Sequence, residues 1–366
     1  LKKYFQGILL VLVFGTLSVA FNNCGGDASS STGSSLPLDI VDETITCEPT
    51  GQVLRLSKLS ETCFGKIMEN EESALFQNFT SYIPNYPLAT VIATKKSRWI
   101  YLPEGTAVDN SDPDNWVYPV GTIFWKEFAS EDVKIETRML EKVTEGEGIE
   151  HWKSYTYYWT MDQTDAVFFA EDEFPTGPEL AGQYAYDNYT TRDAGGTITS
   201  YDYKVPNRQE CLACHSGAKD VVLGFTGFQL LGANSGLRLN ALESEGWLST
   251  PVTASYVISG SETNRRVVGL MQSNCAGCHS PFNVDPTPVS QANFKLSSGI
   301  TDTSQMEPIR TLIDNGKMIP GDPDNSRIVQ RLENQGGSGF MPPTIDGIPQ
   351  QHYGFTQLVR QWISEM

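Results

Sequence analysis

Basic residues are scarce in this chain: 26 Lys and Arg stand against 44 Asp and Glu, a formal net charge of −18 over 366 residues. A surface of that sign repels nucleic-acid phosphates and anionic lipid headgroups and favours basic partners. No basic aromatic patch offsets it, which excludes nucleic acid as a partner. Long hydrophobic runs are missing too. The uncharged apolar stretch at residues 8–21 has 14 residues, short of the ~18 that a spanning helix needs. Histidine occurs four times, so any imidazole chemistry draws on very few positions. A hydrophobic content of 39% with 11% aromatics is that of globular protein, and the length allows two or three domains with a well-buried core.

What is present begins with the amino terminus. Lys2 and Lys3, the apolar run and then Cys24 with a Ser-rich tract over 28–35 have the layout of an export signal. The segment resembles a bacterial lipoprotein precursor in which Cys24 becomes the acylated first residue, although Phe21 and Asn23 depart from the common lipobox; the alternative is a plain cleaved signal. Residues 1–23 are read as signal peptide and 24–44 as a flexible Ser/Gly-rich tether. Seven cysteines are present. Cys47 and Cys63, outside every motif, suit a disulfide in an oxidising periplasm, worth ~3 kcal/mol for a loop of about 15 residues; the alternative is two separately buried thiols.

The fold class expected is α+β. From residue 75 to 203 the chain is rich in Tyr, Trp, Thr, Val and Ile, punctuated by Gly and Pro, a composition that favours strands. KIETRMLEKV (134–143) and HWKSYTYYWT (151–160), joined by TEGEGI, read as an antiparallel hairpin with a loop. In the first strand Ile135, Thr137, Met139 and Val143 share a face that Glu141 interrupts. ATVIAT and RWIYL read as another strand pair and VGTIFWKEF as a further strand, so residues 45–205 are expected to form a sandwich-like β-rich domain. After Pro206 the pattern is helical: RLNALESEGWL, NRRVVGLMQSNC, DPDNSRIVQRLE with Asp322 as N-cap and Pro323 first in the helix, and FTQLVRQWISEM with Leu358, Val359, Trp362 and Ile363 on one face.

Within this helical region QECLACHSG (209–217) and SNCAGCHSP (273–281) repeat one spacing: Cys211, Cys214 and His215, then Cys275, Cys278 and His279. C-x-x-C-H is the attachment signature of c-type haem. Two thiols three positions apart on a helical turn can each form a thioether to one porphyrin vinyl group, and the adjacent imidazole then reaches the iron. Zinc ribbons also use paired C-x-x-C, but with ~15–20 residues between pairs, whereas 60 lie between Cys214 and Cys275. A redox dithiol expects a thioredoxin-like βαβ context that is missing. Two covalently held haem c groups are therefore the expected cofactors. Iron in such domains commonly takes a methionine as sixth ligand. Met341 in GFMPP, 62 residues after His279, is the candidate for the second site, against a packing role. For the first site Met271, Met306, Met318, His151 and His352 are the options, and none is assigned.

NCAGCH, IPGDPDNS, RIVQRL, MPP and the terminal QWI helix resemble a class I cytochrome c domain. The wider chain from Tyr86 onward, through WIYLPEGT, YPVGTIFWKEF, KIETRML, YYWTMDQTDA, VPNRQECLACH and LRLNALESEGWL, resembles a family of bacterial di-haem c-type cytochromes with an amino-terminal β domain. The resemblance implies a first haem-binding segment over 206–262, a cytochrome c-like domain over 263–366, and an exported electron-transfer protein whose redox partners are unspecified. Cys275 and Cys278 would hold the second haem with His279 and Met341 as its ligands; Cys211, Cys214 and His215 would hold the first. Three functions follow as expectations: a periplasmic electron carrier in contact with a membrane through a lipid anchor; a di-haem peroxidase or oxidoreductase with an open first iron; or a partner-docking β module with accessory haems.

Overall fold

The alternation read in KIETRMLEKV becomes the central strand of a six-stranded antiparallel sheet. The computed structural model describes residues 58–62, 64–65, 79–87, 95–130, 133–169, 184–192, 198–204, 208–232, 237–283, 290, 292–333, 339, 341–342 and 353–366. Strands β1 (Phe79–Ser81), β2 (Lys95–Tyr101), β3 (Ile123–Ser130), β4 (Val133–Lys142), β5 (Trp152–Trp159) and β6 (Ala166–Phe169) lie in chain order across the sheet. Each is antiparallel to the next. β7 (Tyr184–Arg192) and β8 (Ile198–Lys204) form a separate two-stranded sheet. RWIYL therefore pairs with β1 and β3, and its expected partner ATVIAT lies outside the described residues.

Period-two alternation gives the sheet two covered faces. On one, Ile123, Trp125, Met139, Tyr155, Tyr157 and Ala166 pack with Leu59 and Phe64. On the other, Ile100, Phe124 and Trp152 join Val221, Phe225 and Phe228 in the main core. Among the described residues this second face is covered largely by chain from beyond Pro206, with Leu102, Val108 and Tyr118 in the same cluster. The change from strands to helices thus falls between 204 and 208, while the core runs across it. Tyr118 binds the two parts further, its hydroxyl donating to Phe225 O at 2.8 Å. Val108 makes a parallel bridge to Leu248.

The helices are α1 (Arg208–His215), α2 (Gly227–Leu230), α3 (Leu239–Ser244), α4 (Glu262–Asn274), α5 (Glu307–Asp314), α6 (Arg327–Glu333) and α7 (Tyr353–Ser364). α4 begins at a Ser261 cap, whose side chain accepts from Asn264 N, with Glu262 in the first turn. Its Val267, Val268 and Met271 are buried with Val359, Trp362 and Ile363 of α7, and Trp362 Nε1 donates to Asn264 Oδ1 at 2.9 Å. α6 starts at Arg327, later than expected from Asp322 and Pro323. The carboxylate of Asp322 instead accepts from Asn325 N and Nδ2, closing a local turn that competes with helix. Buried Ser326 then stands before the first residue of α6, its carbonyl accepting from Val329 N and Gln330 N. Among the described residues no helix is long and apolar enough to cross a membrane. Cys24, Cys47, Cys63 and His352, with the signal and tether segments, lie outside the described residues.

Glu141 does interrupt the apolar face of β4: it is buried, and its Oε2 has no hydrogen-bond partner. Burial raises its pKa from 4.5 to about 7, opposed by the cross-strand neighbour Lys153. With the folded value raised, the proton is retained where the unfolded chain has lost it. The stabilisation is therefore present below about 4.5 and lost as pH climbs through about 7. Glu141→Gln should remove this dependence, so that urea denaturation of the variant loses less stability between those pH values, by on the order of 3 kcal/mol.

Candidate functional site

Both C-x-x-C-H segments fold as one helical turn. Cys211, Cys214 and His215 close α1, where Ser216 N donates to Leu212 O and Gly217 N to Cys214 O, each at 3.1 Å. Cys275 ends α4, its N–H donating to Met271 O at 2.8 Å. The turn continues as Cys278 N and His279 N both donate to Cys275 O, at 3.1 and 2.8 Å. Residues three and four apart on such a turn share a face, so each pair of thiols and its imidazole point the same way.

Each imidazole is oriented alike. His215 Nδ1 lies 2.7 Å from Val221 O, and His279 Nδ1 lies 3.1 Å from Ala292 O. A carbonyl only accepts, so in each ring Nδ1 carries a proton; in a neutral ring the lone pair is then on Nε2, the arrangement that a metal-binding imidazole needs. Burial pushes the His215 pKa down to about 4, against the raising effect of the Val221 carbonyl, with Lys126 and Arg138 lowering it further; the ring is neutral at ordinary pH. The His279 ring meets Phe294 edge-on, 5.1 Å between centroids.

The carbonyl that orients His215 belongs to a residue in an unusual conformation. Val221 has φ +51°, left-handed backbone that a β-branched residue rarely adopts and that costs ~1–3 kcal/mol. Its neighbour Asp220 supplies the restraint. The Asp220 carboxylate is paired with Lys142 of β4, both side chains fully out of solvent, and accepts from Trp152 Nε1 at 2.7 Å and Tyr118 N at 3.0 Å. The Lys142 ammonium also donates to Gly146 O.

The two turns, 64 residues apart in sequence, lie against one another. Ser280 Oγ donates to Gly217 O at 2.6 Å, and Asn283 Nδ2 reaches Ala213 O and Gly277 O, both at 2.9 Å. A Cβ at Gly217 would overlap the Gly277 carbonyl, and one at Gly277 would stand 3.0 Å from Cys214 O. The Sγ atoms of Cys214 and Cys278 are 3.9 Å apart, in contact but far beyond a bonded disulfide. The hydrogen bond with Cys278 lowers the Cys214 thiol to about 7 and, with burial, raises Cys278 far above its ordinary value. Burial alone pushes Cys275 up to about 12.

A row of basic side chains crosses the sheet face that also carries Phe124 and Trp152. Arg98 faces Lys126, and Lys126 faces Arg138, on adjacent strands. Arg138 is ion-paired with buried Glu136, and Lys126 Nζ lies 4.8 Å from the Phe128 ring centre. Burial pushes Lys126 well below the usual lysine range and Lys96 down to about 7. The charges of Lys126 and Arg138 are felt at both Cys214 and His215.

Met341 N donates to Arg331 O at 3.0 Å, which ties it to the end of α6, and its side chain is 37% exposed. Met271, Met306 and Met318 are core residues, each no more than 2% exposed. His151 sits after the β4–β5 loop with Nδ1 2.9 Å from Thr144 Oγ1. Among the described residues no three or more His, Cys, Asp or Glu side chains converge as a metal site; the six motif side chains are two turns, each with its own imidazole, and not one four-thiol cage. The residues not anticipated are Asp220, Lys142, Ser280, Asn283 and the contacting glycines. Only Gly217 and Gly277 carried a signal, as glycines beside or inside a repeated motif. No protein-family model, no curated protein and no solved structure matches the chain.

Gly217→Ala is expected to force the turns apart, lowering stability by ~1–3 kcal/mol in chemical denaturation. Gly217 is not among the positive-φ glycines, so the loss would report the overlap with Gly277 and not backbone strain.

Proposed function

We propose that the chain is an exported di-haem c-type cytochrome that carries single electrons, with Cys211, Cys214 and His215 at one haem and Cys275, Cys278 and His279 at the other. The observation that carries this reading is a duplicated one: two C-x-x-C-H turns, each with its imidazole Nδ1 tied to a main-chain carbonyl. The residues suit covalently held haem. On each turn two thiols and an imidazole lie on one face, and at His215 burial keeps the imidazole neutral. When bound, each haem supplies an iron centre that gains and loses one electron.

The chain's part is to attach, orient and tune. The four thiols fix position covalently; Val221 and Ala292 fix the ring planes of the two imidazoles. Met341 is the proposed sixth ligand at the second site; at 37% exposed it is less committed to packing than the core methionines. Acylation at Cys24 would hold the protein at a membrane surface on the outer side of the export barrier. The acidic balance favours basic redox partner proteins. A second reading, catalysis at an open first iron, is favoured by one observation: Met271, Met306 and Met318 are all committed to the core, which withholds from His215 the common partner on the opposite side.

The mass of the mature protein with its pyridine haemochrome spectrum should give two haems per chain, and a colourless product at bare-chain mass would overturn the proposal. In loaded protein, Met341→Ala should abolish the ferric absorption band from methionine sulfur. Carbon monoxide binding to one reduced haem in the unmodified protein would favour catalysis, and binding to neither would favour transfer.

A further inference from the structure

The contact between Cys214 and Cys278 has no part in holding either haem singly. Each thiol would form its own thioether, and each C-x-x-C-H turn is complete without the other. Yet the second cysteines of the two motifs meet at 3.9 Å, and the chain is built to bring them there. Ser280 and Asn283, both just beyond the second motif, bond to carbonyls at Ala213, Gly217 and Gly277. Cys278 Sγ also lies 3.1 Å from Ala213 O. The backbones approach so closely that neither Gly217 nor Gly277 leaves room for an unhindered side chain. Ser280 is fully buried, so this clasp is part of the interior and not a chance touching of loops.

Resting on the reading above, we infer that Cys214 and Cys278 hold the two haem attachment points in contact, so that the pair works as one coupled unit and not as two separate one-electron sites. A thioether sulfur is bonded directly to the carbon next to the porphyrin ring. Two such sulfurs 3.9 Å apart would link the two attached groups by a short path, one sulfur–sulfur contact with two single bonds on each side, and electron tunnelling falls off exponentially with distance. The internal step is balanced within the protein: the electron lost by one iron is the electron gained by the other, with no bond made or broken and no outside reactant. The functional consequence would be that the chain can hold two electrons, taken up one at a time. It also makes a disulfide between Cys214 and Cys278 incompatible with loading, since both sulfurs are already used.

Soret circular dichroism tests this on the loaded protein, with two haems per chain first confirmed by mass. The expected spectrum is a couplet of opposite-signed bands centred on the Soret absorption. The first-haem form (Cys275→Ala with Cys278→Ala) and the second-haem form (Cys211→Ala with Cys214→Ala) should each give a simple band. A doubly loaded spectrum equal to the sum of the two single-haem spectra would overturn the inference while leaving the proposed function standing. Electron paramagnetic resonance of the fully oxidised unmodified protein needs no variant. Mutual broadening of the two ferric signals is expected, and two unperturbed signals integrating to two independent spins would overturn the inference. Fewer than two haems by mass would overturn the functional reading, and this inference with it.

Discussion

Asp220 and Lys142 meet with both side chains removed from solvent, and the first motif depends on that meeting. Burying two charges is costly unless each also finds hydrogen bonds, and here the carboxylate takes Trp152 Nε1 and Tyr118 N while the ammonium takes Gly146 O. Three separate parts of the sheet region thereby converge on one carboxylate. The next residue, Val221, can hold a left-handed backbone because it is pinned on one side by this pair and on the other by its own buried side chain. Its carbonyl then fixes His215. Strain stored at Val221 is thus balanced by the ion pair before it, and orientation of the imidazole is the result.

This chain of contacts explains why a strand-rich region and a helical one share a core. The sheet face bearing Ile100, Phe124 and Trp152 is covered by Val221, Phe225 and Phe228, the residues immediately after the first motif. The second motif is anchored differently. α4 delivers Cys275 from the packed α4–α7 pair, with Trp362 fixed to Asn264, and Ala292 orients His279. Two unlike supports, a sheet and a helix pair, carry two like turns. The clasp through Ser280 and Asn283 joins them, so a disturbance at either support is transmitted to the other turn.

The strands of the central hairpin were legible because their period-two pattern is strong and their turn is rich in glycine; Glu141 was legible as an interruption of that pattern. The two motifs were legible because spacing alone places thiols and imidazole on one helical turn. Asp322 misled because the same side chain caps a helix or closes a turn, and the run Asp-Pro-Asp-Asn favours the turn. What covers the sheet was not legible for a different reason. Alternation reveals that a face is buried but not what buries it, and Val221 and Phe225 lie about a hundred residues along the chain from Phe124 and Tyr118. Asp220 and Lys142 were invisible for that reason as well: each is an ordinary charged residue until the fold brings the other to it.

Charge placement adds a last constraint. The molecule is acidic as a whole, yet Arg98, Lys126 and Arg138 stand in line on the sheet face that Phe124 and Trp152 share, with Glu136 in an ion pair with Arg138. The charges of Lys126 and Arg138 reach Cys214 and His215, whereas the Cys275 shift comes from burial alone. Under the proposed function, positive charge beside the first site favours the state holding the extra electron, because that state is less positive at the metal. A first site left without a methionine ligand would act the other way, since thioether ligation raises a potential. The two effects oppose one another at the first site, whereas Met341 would act without such opposition at the second. Under the proposed function this opposition would draw the two potentials together where the ligands alone would separate them.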